Sequence, residues 1–96
     1  MSEIMEGATD IGYGVLILFT SWRKHAKAGI LHEHPTPDGD RHMGGIKFDL
    51  PGVAEAFPGD PLWTVESWEP LTLSPSLRCR DCGHHGWIRS GRWEPA

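Results

Sequence analysis

Apolar positions along this chain come in short runs broken by proline and glycine, with no sustained helical repeat. Residues 11–22 (IGYGVLILFTSW) carry no charge and are rich in Val, Ile, Leu and Phe, which predicts one buried strand over 11–20. The run is too short to span a bilayer. Residues 22–27 (WRKHAK) read as a basic turn, helical in part. Residues 29–34 read as a short strand stopped by Pro35 and Pro37, followed by a loop at Asp38-Gly39-Asp40. His32 and His34 are two apart, so on a strand they face one side. Ile46, Phe48 and Leu50 alternate and share a face. Residues 52–57 suit one or two helical turns, ended by Pro58-Gly59-Asp60-Pro61. Residues 62–68 predict a strand with Trp63 and Val65 on one face, and 71–74 a second, bracketed by Pro70 and Pro75. Residues 85–93 predict a hairpin turning at Ser90-Gly91.

These elements predict a mostly β fold, with a small α+β arrangement as the variant: short antiparallel strands ending in a zinc-knuckle hairpin. Residues 1–10 are expected to be a frayed terminus and 1–27 an N-terminal extension. Residues 28–96 are expected to form a single small domain. A chain of 96 residues holds one domain with a modest core, which a metal or a partner would help to stabilise. Twelve glycines and eight prolines argue against a helical bundle. Five tryptophans supply bulk for that core or for an interface.

The net charge of −4 is unevenly spread. Residues 1–76 hold five Lys/Arg against eleven Asp/Glu; residues 77–96 hold four arginines against Asp81 and Glu94. An acidic chain is a poor general binder of nucleic acid, but this end is locally basic. The acidic start, MSEIMEGATD, lacks the basic region of a secretory signal. A reducing, cytoplasmic setting follows as the expectation, in which two cysteines two apart suit a metal better than a disulfide.

That pair lies in Leu77-Arg78-Cys79-Arg80-Asp81-Cys82-Gly83-His84-His85. Two thiolates from one tight turn can hold one Zn2+, and the glycine after them supplies the permissive backbone. A structural zinc takes four ligands, and a second Cys-x-x-Cys is absent, so histidines must complete the set. The candidates are His32, His34, His42, His84 and His85. We expect His85, which begins the hairpin strand, and His34, whose backbone Pro35 restricts, with His32 close behind. The expected metal set is Cys79, Cys82, His85 and His34. A redox pair would open a helix after a strand, which Gly83 and the following hairpin disfavour.

Catalytic motifs are not evident. His32-Glu33-His34 lacks the spacing of the zinc deaminases, and the metalloprotease His-Glu-x-x-His does not occur. Ser74-Pro75-Ser76 reads as a bend that leads a strand into the knuckle. No enzyme is expected.

Over about residues 28–95 the chain resembles a family of small proteins of tailed bacteriophages and prophages, especially those of actinobacteria. The resemblance rests on Ser74-Pro75-Ser76, Cys79-x-x-Cys82 and His85-Gly86-Trp87-Ile88-Arg89-x-Gly91-Arg92-Trp93, with upstream support from His-x-His-Pro and Gly-Gly-Ile-Lys-Phe-Asp-Leu-Pro-Gly. Trp87 and Ser90 stand where that family usually has Phe and Asp. The resemblance implies a phage origin and zinc, and favours His85 over His84. The expected function is therefore a structural or protein-binding phage module, located in the virion or the host cytoplasm. Its partner would be a phage structural protein or a host protein, with no membrane. The alternative is a nucleic-acid-binding zinc module that uses the basic hairpin 78–92.

Overall fold

The computed structural model describes residues 6–96. It is mostly β: nine strands and one helical turn. In chain order these are β1 (Thr9–Asp10), β2 (Leu16–Trp22), β3 (His25–Pro35), β4 (Arg41–Phe48), α1 (Val53–Ala56), β5 (Leu62–Trp68), β6 (Leu71–Ser74), β7 (Leu77–Arg78), β8 (His85–Arg89) and β9 (Arg92–Pro95). Strands β1 to β6 form one sheet in sequential order, and β7 to β9 form a second. Neighbours pair antiparallel except β4 and β5, which run parallel through Lys47↔Leu62 and Phe48↔Trp63. Helix α1 and its flanking turns make that crossover. Among the described residues no helix is long and apolar enough to cross a membrane.

The alternation read at Ile46 and Phe48 and at Trp63 and Val65 is the alternation the sheet uses. Ile46 and Phe48 are buried, and Trp63 and Val65 pack against the same cluster. Ile30, Phe48 and Ile88 have no solvent exposure. Leu77, Ile88 and Trp93 of the small sheet meet Ile17, Ile30, Leu71 and Leu73 of the large one, so the two sheets share one core. Each fully buried aliphatic or aromatic side chain there contributes roughly 1.5–3 kcal/mol of transfer free energy. Backbone bonds reinforce the junction: Trp93 N–H to the Ile11 carbonyl (2.8 Å) and Gly91 N–H to the Leu71 carbonyl (2.8 Å).

Several elements differ from expectation. The strand expected over 11–20 is β2 and starts at Leu16, because residues 11–15 turn instead, with Ile11 N–H bonded to the Val15 carbonyl at 2.9 Å. Ile11 and Val15 are nevertheless in the core. Residues 22–25 are not helical: Trp22 pairs with His25, and Arg23 takes the left-handed backbone of a tight hairpin turn. Strand β3 runs through residue 27, so the expected division there falls inside a strand. Residues 1–5 of the expected frayed terminus lie outside the described residues, while Thr9 and Asp10 pair with Ile17 and Leu16.

Candidate functional site

Strands β3 and β4 form a hairpin through Thr36–Asp40, and its register sets His34 directly opposite His42. The turn is held by Thr36 N–H to the Asp40 carbonyl (2.9 Å) and Gly39 N–H to the Thr36 carbonyl (3.1 Å). Behind it Glu33, also buried, is paired with Arg41, which donates a second bond to the Gly14 carbonyl (2.6 Å). This pair anchors the hairpin root on the face opposite His34, because successive strand residues point to opposite faces.

The second half comes from the turn between β7 and β8. Cys79 N–H bonds the His84 carbonyl (2.7 Å) and Gly83 N–H bonds the Cys79 carbonyl (2.8 Å), with Gly83 in the left-handed region. This tight loop presents both thiols to the His34–His42 pair. His34 Nε2 lies 3.4 Å from Cys82 Sγ, and His42 Nδ1 lies 3.5 Å from Cys79 Sγ. The ligand atoms of His34, His42, Cys79 and Cys82 all lie within 4.8 Å of one another. These four residues can therefore hold a metal ion.

In the metal-free group the electrostatics favour ligation at His34 and Cys79 and oppose it at Cys82 and His42. Burial first, then the neighbouring His84, His32, His42 and Arg41, push His34 down to about 4, so it stays neutral and able to bind a metal. Burial raises the Cys79 thiol, but the Cys82 N–H, the His42 ring and the Asp81 N–H outweigh it, and the net shift is downward. Cys82 is shifted upward: the His84 N–H lowers it, but burial and the adjacent Cys79 sulfur prevail. The pair thus favours one thiolate, beside a His42 whose own shift is upward because it bonds Cys79.

The structure brings together three of the four expected ligands, Cys79, Cys82 and His34. It adds His42 and leaves His85 outside the group. His84 is a packing group, its ring stacked 4.2 Å from His34 and 4.9 Å from Trp93. His32 stacks beside His34 and fills the space over Gly44, where a Cβ would lie 3.2 Å from its Nε2.

His85 has a different partner. Its Nε2 is 2.7 Å from the hydroxyl of Ser76. Ser76 immediately precedes β7 and His85 opens β8, so the thiol turn is the connection between them. Each is fixed from a second side. The Ser76 carbonyl accepts the Trp63 indole N–H (3.4 Å), and the His85 carbonyl accepts the Ala96 N–H (3.0 Å). The Trp87 ring lies against His85 at 5.7 Å. Strand alternation sends Leu77, Gly86 and Ile88 inward and leaves Ser76, His85 and Trp87 on the outer face. Among the described residues Ser76 is the serine whose hydroxyl meets a histidine. Sequence reasoning had passed over it as a residue of a bend; the available signal was a serine and a histidine flanking the Cys-x-x-Cys symmetrically.

No curated protein and no solved structure matches the chain. A family described as "Bacterial ubiquitination-like system serine protease (BubE)" matches residues 31–96. This match corrects four expectations. The kinship is not with phage zinc-knuckle proteins, and neither the bacteriophage nor the virion setting holds. A structural or protein-binding phage module, with its nucleic-acid-binding alternative, gives way to a protease family. The expectation of a non-enzyme falls for the same reason, since the matched family is described as one of serine proteases. With two-thirds of its length matched, from within β3 to the final residue, the chain belongs to the family of bacterial ubiquitination-like system serine proteases, BubE.

Proposed function

We propose that the chain is a serine peptidase of a bacterial ubiquitination-like system, in which Ser76 is the nucleophile and His85 its general base. The observation that carries this reading is the 2.7 Å contact between Ser76 Oγ and His85 Nε2. That distance is within the reach a general base needs to take the hydroxyl proton. A serine hydroxyl is a weak nucleophile alone and is activated by such a base. Ser76 Oγ attacks the scissile carbonyl while its proton passes to His85 Nε2. The imidazolium then returns the proton to the leaving amine as the C–N bond breaks, giving an acyl-serine. Water, deprotonated by His85, hydrolyses the acyl-serine and restores both residues.

The metal group has the chemistry of a structural zinc. Zn–S of about 2.3 Å and Zn–N of about 2.0–2.1 Å at tetrahedral angles put nitrogen and sulfur about 3.6 Å apart. The two cross-pairs are 3.4 and 3.5 Å apart. Two thiols and two imidazoles fill a tetrahedral shell with protein ligands, as structural sites do. Held by this clip, the β7–β8 connection cannot splay, and Ser76 and His85 keep their spacing. The zinc's role is to fix the scaffold; the proton transfers belong to Ser76 and His85. The partner is a protein in this reading, because the substrate is a peptide or isopeptide bond in a conjugate of that system.

The test is turnover of a modifier-linked reporter by zinc-loaded protein. Ser76→Ala and His85→Ala are each expected to lower kcat/KM by roughly 10²–10⁴-fold with zinc content unchanged. Undiminished turnover in folded Ser76→Ala protein would overturn the assignment.

A further inference from the structure

Beside Ser76 the two sheets leave an open seam. Strand β4 pairs with β3 from Arg41 to Lys47, but with β5 only at Lys47 and Phe48. Among the described residues no strand pairs with residues 41–46 of β4 on the other side. The Asp49 N–H reaches across to the Trp63 carbonyl (2.8 Å), so odd-numbered positions of this strand turn their peptide groups away from β3. Met43 and Gly45 therefore offer backbone N–H and C=O groups along a free edge. Opposite them runs β7. Cys79 N–H points to β8, so by the same alternation Ser76 and Arg78 turn their peptide groups the other way. The Trp63 indole meeting the Ser76 carbonyl confirms that direction.

Between the two edges lies a cleft of about 250 Å³, with Met43, Gly45, Trp63, Leu77 and Arg78 among its walls. Gly45 has no side chain to obstruct its edge, and Met43 is 45% exposed. Arg78 and Arg80 line the cleft against one carboxylate, Asp81. An unpaired edge beside a pocket is the arrangement that takes up an extended peptide by strand addition. The cationic wall suits acidic side chains on that peptide.

We infer that the substrate chain binds in this seam as an extended, acidic strand, hydrogen-bonded to Met43 and Gly45 of β4 and to Arg78 of β7. The seam adjoins Ser76 along the backbone: Leu77, in its wall, follows Ser76 directly, and Trp63, also in its wall, donates to the Ser76 carbonyl. The inference deepens the peptidase reading and rests on it for the identity of the occupant, but docking is measurable without turnover.

The experiment uses zinc-loaded Ser76→Ala protein and a short fluorescein-labelled peptide alternating valine and glutamate. Fluorescence anisotropy reads binding. The same peptide with its edge-facing amides N-methylated, and a valine–lysine counterpart, are the controls. N-methylation is expected to weaken binding at least about tenfold, and lysine for glutamate by a similar factor. Gly45→Pro removes an outward N–H at a position where an edge strand tolerates proline, and is expected to weaken binding at least about tenfold. No binding of the valine–glutamate peptide up to about 1 mM would overturn the inference. So would equal binding of the N-methylated peptide, or unchanged affinity in folded Gly45→Pro protein. Should Gly45→Pro misfold by circular dichroism, the N-methylated peptide on the parent protein decides. Edge-dependent binding without turnover by the Ser76-containing protein would refute the peptidase reading alone. Turnover without edge dependence would refute only the docking.

Discussion

At the scale of single residues, the division of labour among the six histidines is the informative result. Only strand register assigns them. His34 and His42 are cross-strand neighbours, so two positions eight residues apart become one side of a group that can hold a metal. His85 is three residues from Cys82, yet the turn that carries the thiols points it at Ser76. Spacing from a Cys-x-x-Cys was therefore a poor guide to its role, whereas the pairing of β3 with β4 was decisive for His42. The expected zinc content follows. Measured by elemental mass spectrometry on protein purified without added metal, the parent should carry about one zinc per chain. His42→Ala and Cys82→Ser should lose most of it, while His85→Ala should retain it. Gly86 is a separate residue-scale constraint. A Cβ there would lie 2.5 Å from both the Trp93 ring and the Glu94 carbonyl oxygen. Gly86→Ala should cost about 1–3 kcal/mol in urea unfolding, because overpacking must move a buried ring or push β8 and β9 apart.

At the scale of elements, much of the β character was legible because alternation and turn chemistry are local. The strand of Trp63 and Val65 and the hairpin turning at Ser90-Gly91 were both read from residues within a few positions of each other. The parallel pairing of β4 with β5 was not, since nothing local specifies a partner across a helical crossover. Pro35 and Pro37 likewise marked a stop but hid the fact that β3 and β4 continue into one another around Thr36–Asp40. The same hairpin supplies a pH dependence. In metal-free protein His34 titrates at about 4 rather than the usual 6.5, because it is buried beside other histidines and Arg41. Between those values the unfolded chain binds more protons than the folded one. Stability is therefore retained above pH 6.5 and lost as pH falls from 6.5 towards 4, by up to about 1.4 kcal/mol per pH unit. Thermal melts of chelated protein across that range should show a falling Tm, and His34→Gln should flatten the slope. Zinc binding runs in the same direction, because both imidazoles must be neutral to ligate.

At the scale of the whole molecule, one small loop serves both the core and the proposed Ser76–His85 pair. The turn from Cys79 to His84 joins the strands that carry Ser76 and His85, and through His34 and His42 it is pinned to the large sheet. Their inner faces, at Leu77, Ile88 and Trp93, also close the shared core. Removing the metal should thus destabilise the small sheet and disturb the Ser76–His85 pair together. A strong zinc chelator is expected to lower Tm by more than about 10 °C and to abolish turnover in parallel. Loss of turnover at full stability would instead place the metal in the chemistry. The most direct test of the central assignment is covalent labelling of the zinc-loaded protein with a fluorophosphonate, mapped by peptide mass spectrometry. The expected result is a single adduct on Ser76 that disappears in His85→Ala protein with zinc content intact; an unlabelled Ser76 in folded, zinc-loaded protein, or an adduct on another serine, would contradict it.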